Sequence, residues 1–255
     1  MRFVVDASHR ARVLVTGPDA PAFLHRLSTQ HVSDLKVGDA RLSAFTTDKG
    51  RLKDLVHHVV LEEGVLLIGH QLGSADLTAW LDRYLFSEKV ELSERGGGCV
   101  VVDGATAVDL VAGSQDLAPW QHQRQGDVVV VRAFDRVDAG GAVVTAFVVV
   151  AAGPLPAATL SADDDRAACV AAGIPGPEIG EAHTPLDLDL HDAISWNKGC
   201  YIGQEVIARL DTYGKQRKHL AAVTFDGAVD AAANVAVGDP VVGDLNGAVT
   251  SVAAS

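Results

Sequence analysis

Cysteine is scarce: the 255 residues contain three, at positions 99, 169 and 200. An odd, widely spaced set excludes a disulfide framework and a Cys-x-x-Cys metal knuckle, so any thiol chemistry rests on one side chain. Positive charge is also short, with 21 Lys and Arg against 33 Asp and Glu and a net charge of −12. That is the wrong sign for a protein that grips phosphate backbones over its surface, and direct nucleic-acid binding is not expected. Long apolar runs are missing. The longest, around 128–131 and 146–152, fall well short of the roughly 20 residues of a membrane helix, so no membrane partner is expected. The opening MRFVVDASHR lacks both an apolar segment behind a basic start and a small-residue cleavage site, which makes the cytoplasm the expected location.

What is present is core-forming material, 48% hydrophobic. Arg12 to Val15, Arg41 to Thr46, Leu52 to Leu61 and Val65 to Ile68 are β-branched or alternating and are separated by turn signals such as Asp48-Lys49-Gly50, as antiparallel strands are. Between the first two, PDAPAFLHRLS places Phe23, Leu24 and Leu27 on one helical face. After Ser74, a suitable N-cap, Leu77, Trp80, Leu81, Tyr84 and Leu85 form the apolar stripe of a second helix. The valine-rich runs between Cys99 and Ala152 predict further buried strands. A third helix is expected from Ser161, with three aspartates at its positive end, to Gly173. From His219 to Ser255, short valine strands alternate with turn pairs, as in a small β-barrel. The fold class expected is α+β. His57 and His58, adjacent on a strand, face opposite ways; one is expected buried and the other wet, and they cannot readily share a metal.

The minimal motifs of P-loop, Rossmann, zincin and hydrolase-elbow proteins are all missing, and Asp187 and Asp189 begin a calcium loop that Asp192 and Lys198 break. The run that stands out is Asn197-Lys198-Gly199-Cys200-Tyr201-Ile202-Gly203-Gln204-Glu205, followed by the basic Arg209, Lys215, Arg217 and Lys218. Two glycines around Cys200 let the backbone approach a ligand or take a positive φ, and Lys198 nearby would favour the thiolate. The alternative is a glycine-rich turn whose cysteine is merely a small buried side chain. Trp196 and Tyr201 offer ring-stacking surface, although large aromatics more often belong to the core. The basic residues give a local charge suited to an anion, or only a solvated patch.

KGCYIGQE resembles the signature of the YgfZ-type folate-binding proteins, relatives of the glycine-cleavage T-protein that support iron–sulfur cluster assembly or repair. GPDAPAFLHRLSTQHV, TTDKGRLKDL and AAGIPGPEIG are similar to that superfamily's opening strand and helix, its strand-turn-strand and its pterin-side segment. The resemblance implies ferredoxin-like α+β portions around a central folate site and a small C-terminal barrel. The corresponding divisions are 1–95, 96–215 and 216–255. Family members extend past the GAVTSVA strand, so the expected barrel is incomplete, with an exposed edge.

The implied cofactor is tetrahydrofolate or a derivative, with no intrinsic metal. By the same resemblance, Glu178 lies at the pterin edge, and Trp196, Tyr201, Gly199, Gly203, Gln204, Glu205 and Arg209 line the folate site. Cys200, assisted by Lys198, is the reactive group. Implied partners are reduced folate and iron–sulfur proteins or their assembly machinery, and through them cluster-dependent tRNA modification. T-proteins carry two acidic residues where this chain has Lys53-Asp54. If the catalytic position matches Lys53, aminomethyl transfer is lost; if it matches Asp54, transfer survives. An accessory factor is therefore favoured over two alternatives, a tetrahydrofolate-dependent aminomethyltransferase and a non-catalytic folate-binding scaffold.

Overall fold

The computed structural model describes residues 2–138, 140–214, 218–221, 240–241 and 247–248. Two five-stranded antiparallel sheets dominate it. The first has the order β3-β4-β5-β2-β6, from β2 (Arg12–Thr16), β3 (Ala40–Thr46), β4 (Leu52–Leu61), β5 (Gly64–Gly69) and β6 (Glu91–Glu94). The second has the order β1-β7-β12-β9-β8, from β1 (Val4–Asp6), β7 (Gly98–Asp103), β8 (His122–Gln125), β9 (Val128–Arg132) and β12 (Ala146–Ala151). A short ribbon of β10 (Arg136–Val137) and β11 (Val143–Val144) lies between β9 and β12 in sequence. The first strand, β1, pairs with β7 and so joins the second sheet, although the rest of the chain up to Glu94 builds the first.

The sheets pack face to face. Val59, Leu61, Leu66 and Ile68 of the first share a core with Val101, Val129, Val131, Val148 and Val150 of the second. Helices cover the outer faces: α1 (Ala20–Leu27) and α2 (Ser74–Asp82) bury Phe23, Leu24, Leu77 and Trp80 against β2 and β5. On the other side α3 (Gly104–Leu110) lies over β7 and β12. Because both faces of β4 are covered, its side chains read as a continuous buried run rather than an alternation with water. The expectation that one of His57 and His58 is wet is overturned: both are fully buried, His57 toward the second sheet and His58 against Phe45 and the Ser28 hydroxyl, 3.0 Å away.

The four strands expected before residue 70 fall within one or two residues of those observed. α2 begins with Gly73 as its cap instead of Ser74, because the Ser74 hydroxyl accepts the Arg12 backbone N–H. It ends at Asp82, short of Tyr84 and Leu85. α4 (Ala162–Ala171) has the expected Ser161 cap, which accepts from the Asp164 N–H, and Gly173 follows at φ +68°. The barrel expected over 216–255 lies almost wholly outside the described residues, which contribute there only the pair β13 (Pro240–Val241) and β14 (Gly247–Ala248). No helix among the described residues is long and apolar enough to cross a membrane.

From Ile179 to Gly203 the chain runs as a strap with little regular structure, laid across the part of the first sheet that the second leaves open. Ile179, Leu188, Leu190 and Ala193 pack on Leu42, Ala44, Leu52 and Leu55. Backbone bonds sew it down: Leu52 N–H to the His183 carbonyl (2.8 Å) and Ser195 N–H to the Thr29 carbonyl (3.0 Å). The strap leads into α5 (Gln204–Tyr213).

Candidate functional site

The KGCYIGQE run forms the turn that joins the strap to α5. Lys198 points inward. Its ammonium donates to the carbonyls of His25 (2.6 Å), Ser28 (2.5 Å) and Gln30 (3.1 Å), closing the C-terminal end of α1, where a cation suits both the free carbonyls and the helix dipole. Burial lowers its pKa to about 8. Tyr201 is buried beside it, its ring 5.2 Å from the ammonium, and burial raises the phenol to about 12. Gly199 and Cys200 lie on the outer side of the turn, both exposed. The reading of Cys200 as a small buried side chain is thereby corrected. Cys99 is buried and Cys169 half-buried, and burial raises both thiols.

Gly203, at φ +81°, caps α5 and presses on the turn of the TTDKG segment; a Cβ there would lie 2.4 Å from the Thr47 carbonyl oxygen and 2.8 Å from the Gly50 Cα. The Thr46 hydroxyl donates to the Ile202 carbonyl at 2.6 Å. The glycine thus serves contact between two turns of the chain. Gln204 is half-buried, Glu205 and Arg209 are exposed, and Trp196 is exposed. Arg209 lines a cleft of about 360 Å³ with Lys49, Arg51 and Lys218 around the buried Thr184 and Asp187. Lys215 and Arg217 lie outside the described residues.

Lys53 lies at a β-bulge where β4 slips against Phe45 and Thr46, so the alternation of faces expected at Lys53-Asp54 is interrupted there. Lys53 pairs with Glu181 of the strap at 3.0 Å. Asp54 is fully buried, and its carboxylate accepts four backbone N–H groups: Leu55 (2.8 Å), His70 (3.3 Å) and Gln71 (3.0 Å) on one oxygen, Leu72 (3.2 Å) on the other. Burial outweighs these bonds and raises its pKa to about 6. Asp54 therefore fixes the loop that follows β5. That loop reaches the GIPGPE segment: the Gln71 amide donates to the Gly176 carbonyl (2.6 Å), and the Gly176 N–H to the buried Glu178 carboxylate (2.8 Å). Among the described residues no hydrogen bond or ion pair joins Cys200 to Asp54 or Glu178.

Where β4 and β5 meet Trp120 and Phe134 lies a buried cluster of imidazoles and rings that the sequence did not single out. His57 Nε2 is 3.3 Å from His70 Nε2, and Trp120 and Phe134 stack around the pair. Burial holds both imidazoles neutral, His57 at about 3 and His70 well below its usual value. His57 Nδ1 and Arg10 Nε are buried without a hydrogen-bond partner. Trp120 adopts φ +68°, a left-handed conformation that a bulky residue rarely takes. One signal was available in the sequence: His57 and His70 are polar-edged residues inside otherwise aliphatic segments.

Residues 3–145 match the model of the GCVT N-terminal domain. The chain belongs to that family. Within it, the protein is 26% identical over 95% of its length to 60% of the Arabidopsis thaliana protein named "Putative transferase At1g60990, chloroplastic". It is also 32% identical, over 52% of its length, to 39% of the Thermus thermophilus aminomethyltransferase. Among solved structures, the glycine cleavage system aminomethyltransferase T of Bartonella henselae superposes with a TM-score of 0.66 over 83% of this chain and 63% of that one, at 19% identity, a likeness of fold. The chain spans less than two thirds of the length of each of these relatives.

The GCVT family implies a folate ligand, and the residue types of this cluster are ones that such a ligand would use. Trp120 and Phe134 offer ring surface, His57 Nδ1 an unpaired polar atom, and Glu178 a buried carboxylate linked to the same loop.

Proposed function

We propose that this GCVT-family protein binds a reduced folate without transferring its one-carbon unit, and that Cys200 serves the assembly or repair of iron–sulfur clusters. The observation that carries the first part is the arrangement at β4. The cation Lys53, at the β-bulge, is engaged by Glu181 of the strap, while the neighbouring carboxylate of Asp54 is fully buried with both oxygens taken up by backbone N–H groups. A free base beside the ligand is what aminomethyl transfer needs, and both candidates are otherwise engaged, Lys53 by Glu181 and Asp54 by four N–H groups. Trp120 and Phe134 would hold the rings and Glu178 the donor edge of the pterin, with the neutral His57 and His70 adding no charge beside them. The second part is supported by the exposure of Cys200 on a turn whose framework is fixed by Lys198 and Gly203, so that a thiol is presented to a partner without cost to the fold.

Aminomethyl transfer is the second reading, favoured by the names of the relatives. Two assays separate the readings. Tetrahydrofolate binding is measured by titration calorimetry and one-carbon turnover by methylenetetrahydrofolate formation; binding without turnover is expected, and turnover at rates typical of enzymes overturns the proposal. Cells lacking their own factor and complemented with wild type or Cys200→Ala are then scored for a cluster-dependent tRNA methylthio-transferase. Rescue by wild type alone is expected; rescue by both variants removes the thiol from the function.

A further inference from the structure

β8 is the outer strand of the second sheet, and among the described residues it pairs only with β9. Gln125 stands opposite Val128 across the Gly126-Asp127 turn, which makes Gln125 and then Gln123 the residues that exchange hydrogen bonds with β9. The Arg132 N–H bond to the Gln121 carbonyl (2.9 Å) continues the same phase. His122 and Arg124, one residue out of that phase, therefore turn their backbone N–H and C=O groups toward the outer edge. Among the described residues no backbone hydrogen bond from another segment closes that edge.

Beside the edge, between β8 and the turn that joins β4 to β5, lies a cavity of about 600 Å³ whose walls include Val37, Val60, Leu61, Glu62, His122 and Arg124. Its uncommitted polar side chains are acceptors. The buried His122 ring donates to the Asp39 carbonyl, and burial keeps it neutral, so its other nitrogen, Nδ1, carries a lone pair; that atom is sealed from solvent and has no partner. Glu63 is spent on Arg124 (2.7 Å) and Arg95 (3.3 Å), whereas Glu62 makes no hydrogen bond or ion pair among the described residues. Val60 and Leu61 add an apolar wall on the way to that carboxylate.

We propose that the outer edge of β8 and the cavity beside it dock an extended, basic segment of a partner protein, which adds to the second sheet as a further strand and lays a lysine or arginine side chain along Val60 and Leu61 toward Glu62. Main-chain bonds to His122 and Arg124 supply the affinity common to any strand added at an open edge, and the cavity supplies the choice of side chain. A long cationic side chain suits it because its stem covers apolar surface while its head reaches an acceptor, and a net charge of −12 on the whole chain favours a basic partner. Neither the edge nor the cavity uses a residue assigned to folate or to Cys200, so the proposal stands or falls apart from those readings.

The test uses the whole chain and short capped peptides in titration calorimetry: valine alternating with lysine, the same with arginine, and the same with glutamate. At least one basic peptide is expected to bind roughly 10-fold or more tighter than the acidic one. Methylating the backbone nitrogens of every second residue of that peptide should abolish binding in one of the two phases and spare it in the other, because only one set of N–H groups faces β8. Glu62→Gln should weaken binding roughly 5- to 10-fold, while Glu91→Gln, on the edge strand β6 of the first sheet, should not. Hydrogen exchange should show new protection at the His122 and Arg124 amides in the complex and none at Gln123. No binding of either basic peptide, equal effects of the two methylated forms, or equal losses in the two glutamate variants overturns the proposal, the last by showing attraction to the net charge alone. A dimer in sedimentation velocity that protects the same two amides and that the peptides do not dissociate also overturns it, since a second copy of the chain then covers the edge.

Discussion

Gly203 is packed backbone to backbone against Gly50: a Cβ on Gly203 would meet the Gly50 Cα at 2.8 Å, and both residues sit at positive φ, +81° and +65°. The contact locks the KGCYIGQE turn onto the TTDKG turn. Gly203→Ala is expected to lower stability by roughly 3 kcal/mol, because it combines a left-handed alanine with a backbone clash that no side-chain rotation relieves. Urea unfolding followed by tryptophan fluorescence measures it. Gly199, where an added methyl group would meet nothing within 4 Å and φ is not positive, provides the control, and Gly199→Ala should be near neutral.

Lys198 holds three carbonyls at the end of α1 and the turn after it. Lys198→Met keeps the stem and deletes the ammonium, leaving those buried oxygens short of a donor. A loss of roughly 2–3 kcal/mol is expected, measured by the same unfolding assay. A stability equal to wild type would mean that water replaces the ammonium without penalty.

The strands and helices before residue 70 were legible because their apolar positions follow period 2 or 3.6 and are bounded by Pro, Asp and Gly. The burial of both His57 and His58 was not legible, since alternation assigns faces and says nothing of what covers each. The role of Lys198 was hidden for a similar reason. The motif placed it beside Cys200 in sequence, but its partners lie about 170 residues away, on α1. Asp54 was noticed for its chemistry, yet what fixes it is a loop 16–18 residues on.

Acid should destabilise the chain well above the carboxylate range. His57 and His58 have folded-state pKa values of about 3, against 6.5 for an exposed imidazole, so their neutral burial contributes stability that is present above pH 6.5 and lost as pH falls. At pH 5 each costs about 2 kcal/mol relative to pH 7. Asp54 acts oppositely. Its pKa is raised from 3.8 to about 6, so its protonation returns about 1 kcal/mol by pH 5. Those three groups sum to a net loss of roughly 3 kcal/mol between pH 7 and 5, and the neutral burial of His70 adds to it, so the total is expected to exceed that figure, measured by denaturant midpoints across that range.

Asp54→Asn replaces an acceptor of four N–H groups by an amide whose own N–H groups must face some of those donors. A loss of roughly 3 kcal/mol is expected, together with disappearance of the small opposing term in the pH profile. Hydrogen exchange should localise the change to residues 70–72, the donors that Asp54 holds. Exchange unchanged there would remove the loop-fixing role.

Thiol accessibility separates the three cysteines. Cys200 is exposed, Cys99 is sealed in the core between the sheets, and Cys169 is half-buried with a thiol that burial holds protonated. Under native conditions at pH 7.5 a disulfide reagent such as dithionitrobenzoate should therefore titrate one thiol fast, at least tenfold ahead of the second, because the thiolate must form and be reached before it reacts. Cys200→Ser should abolish the fast phase and leave the denaturant midpoint unchanged, since the side chain makes no hydrogen bond or ion pair among the described residues. If the fast phase survives in that variant, the reactive thiol is Cys169, and the site presented to a partner moves from the α5 turn to α4.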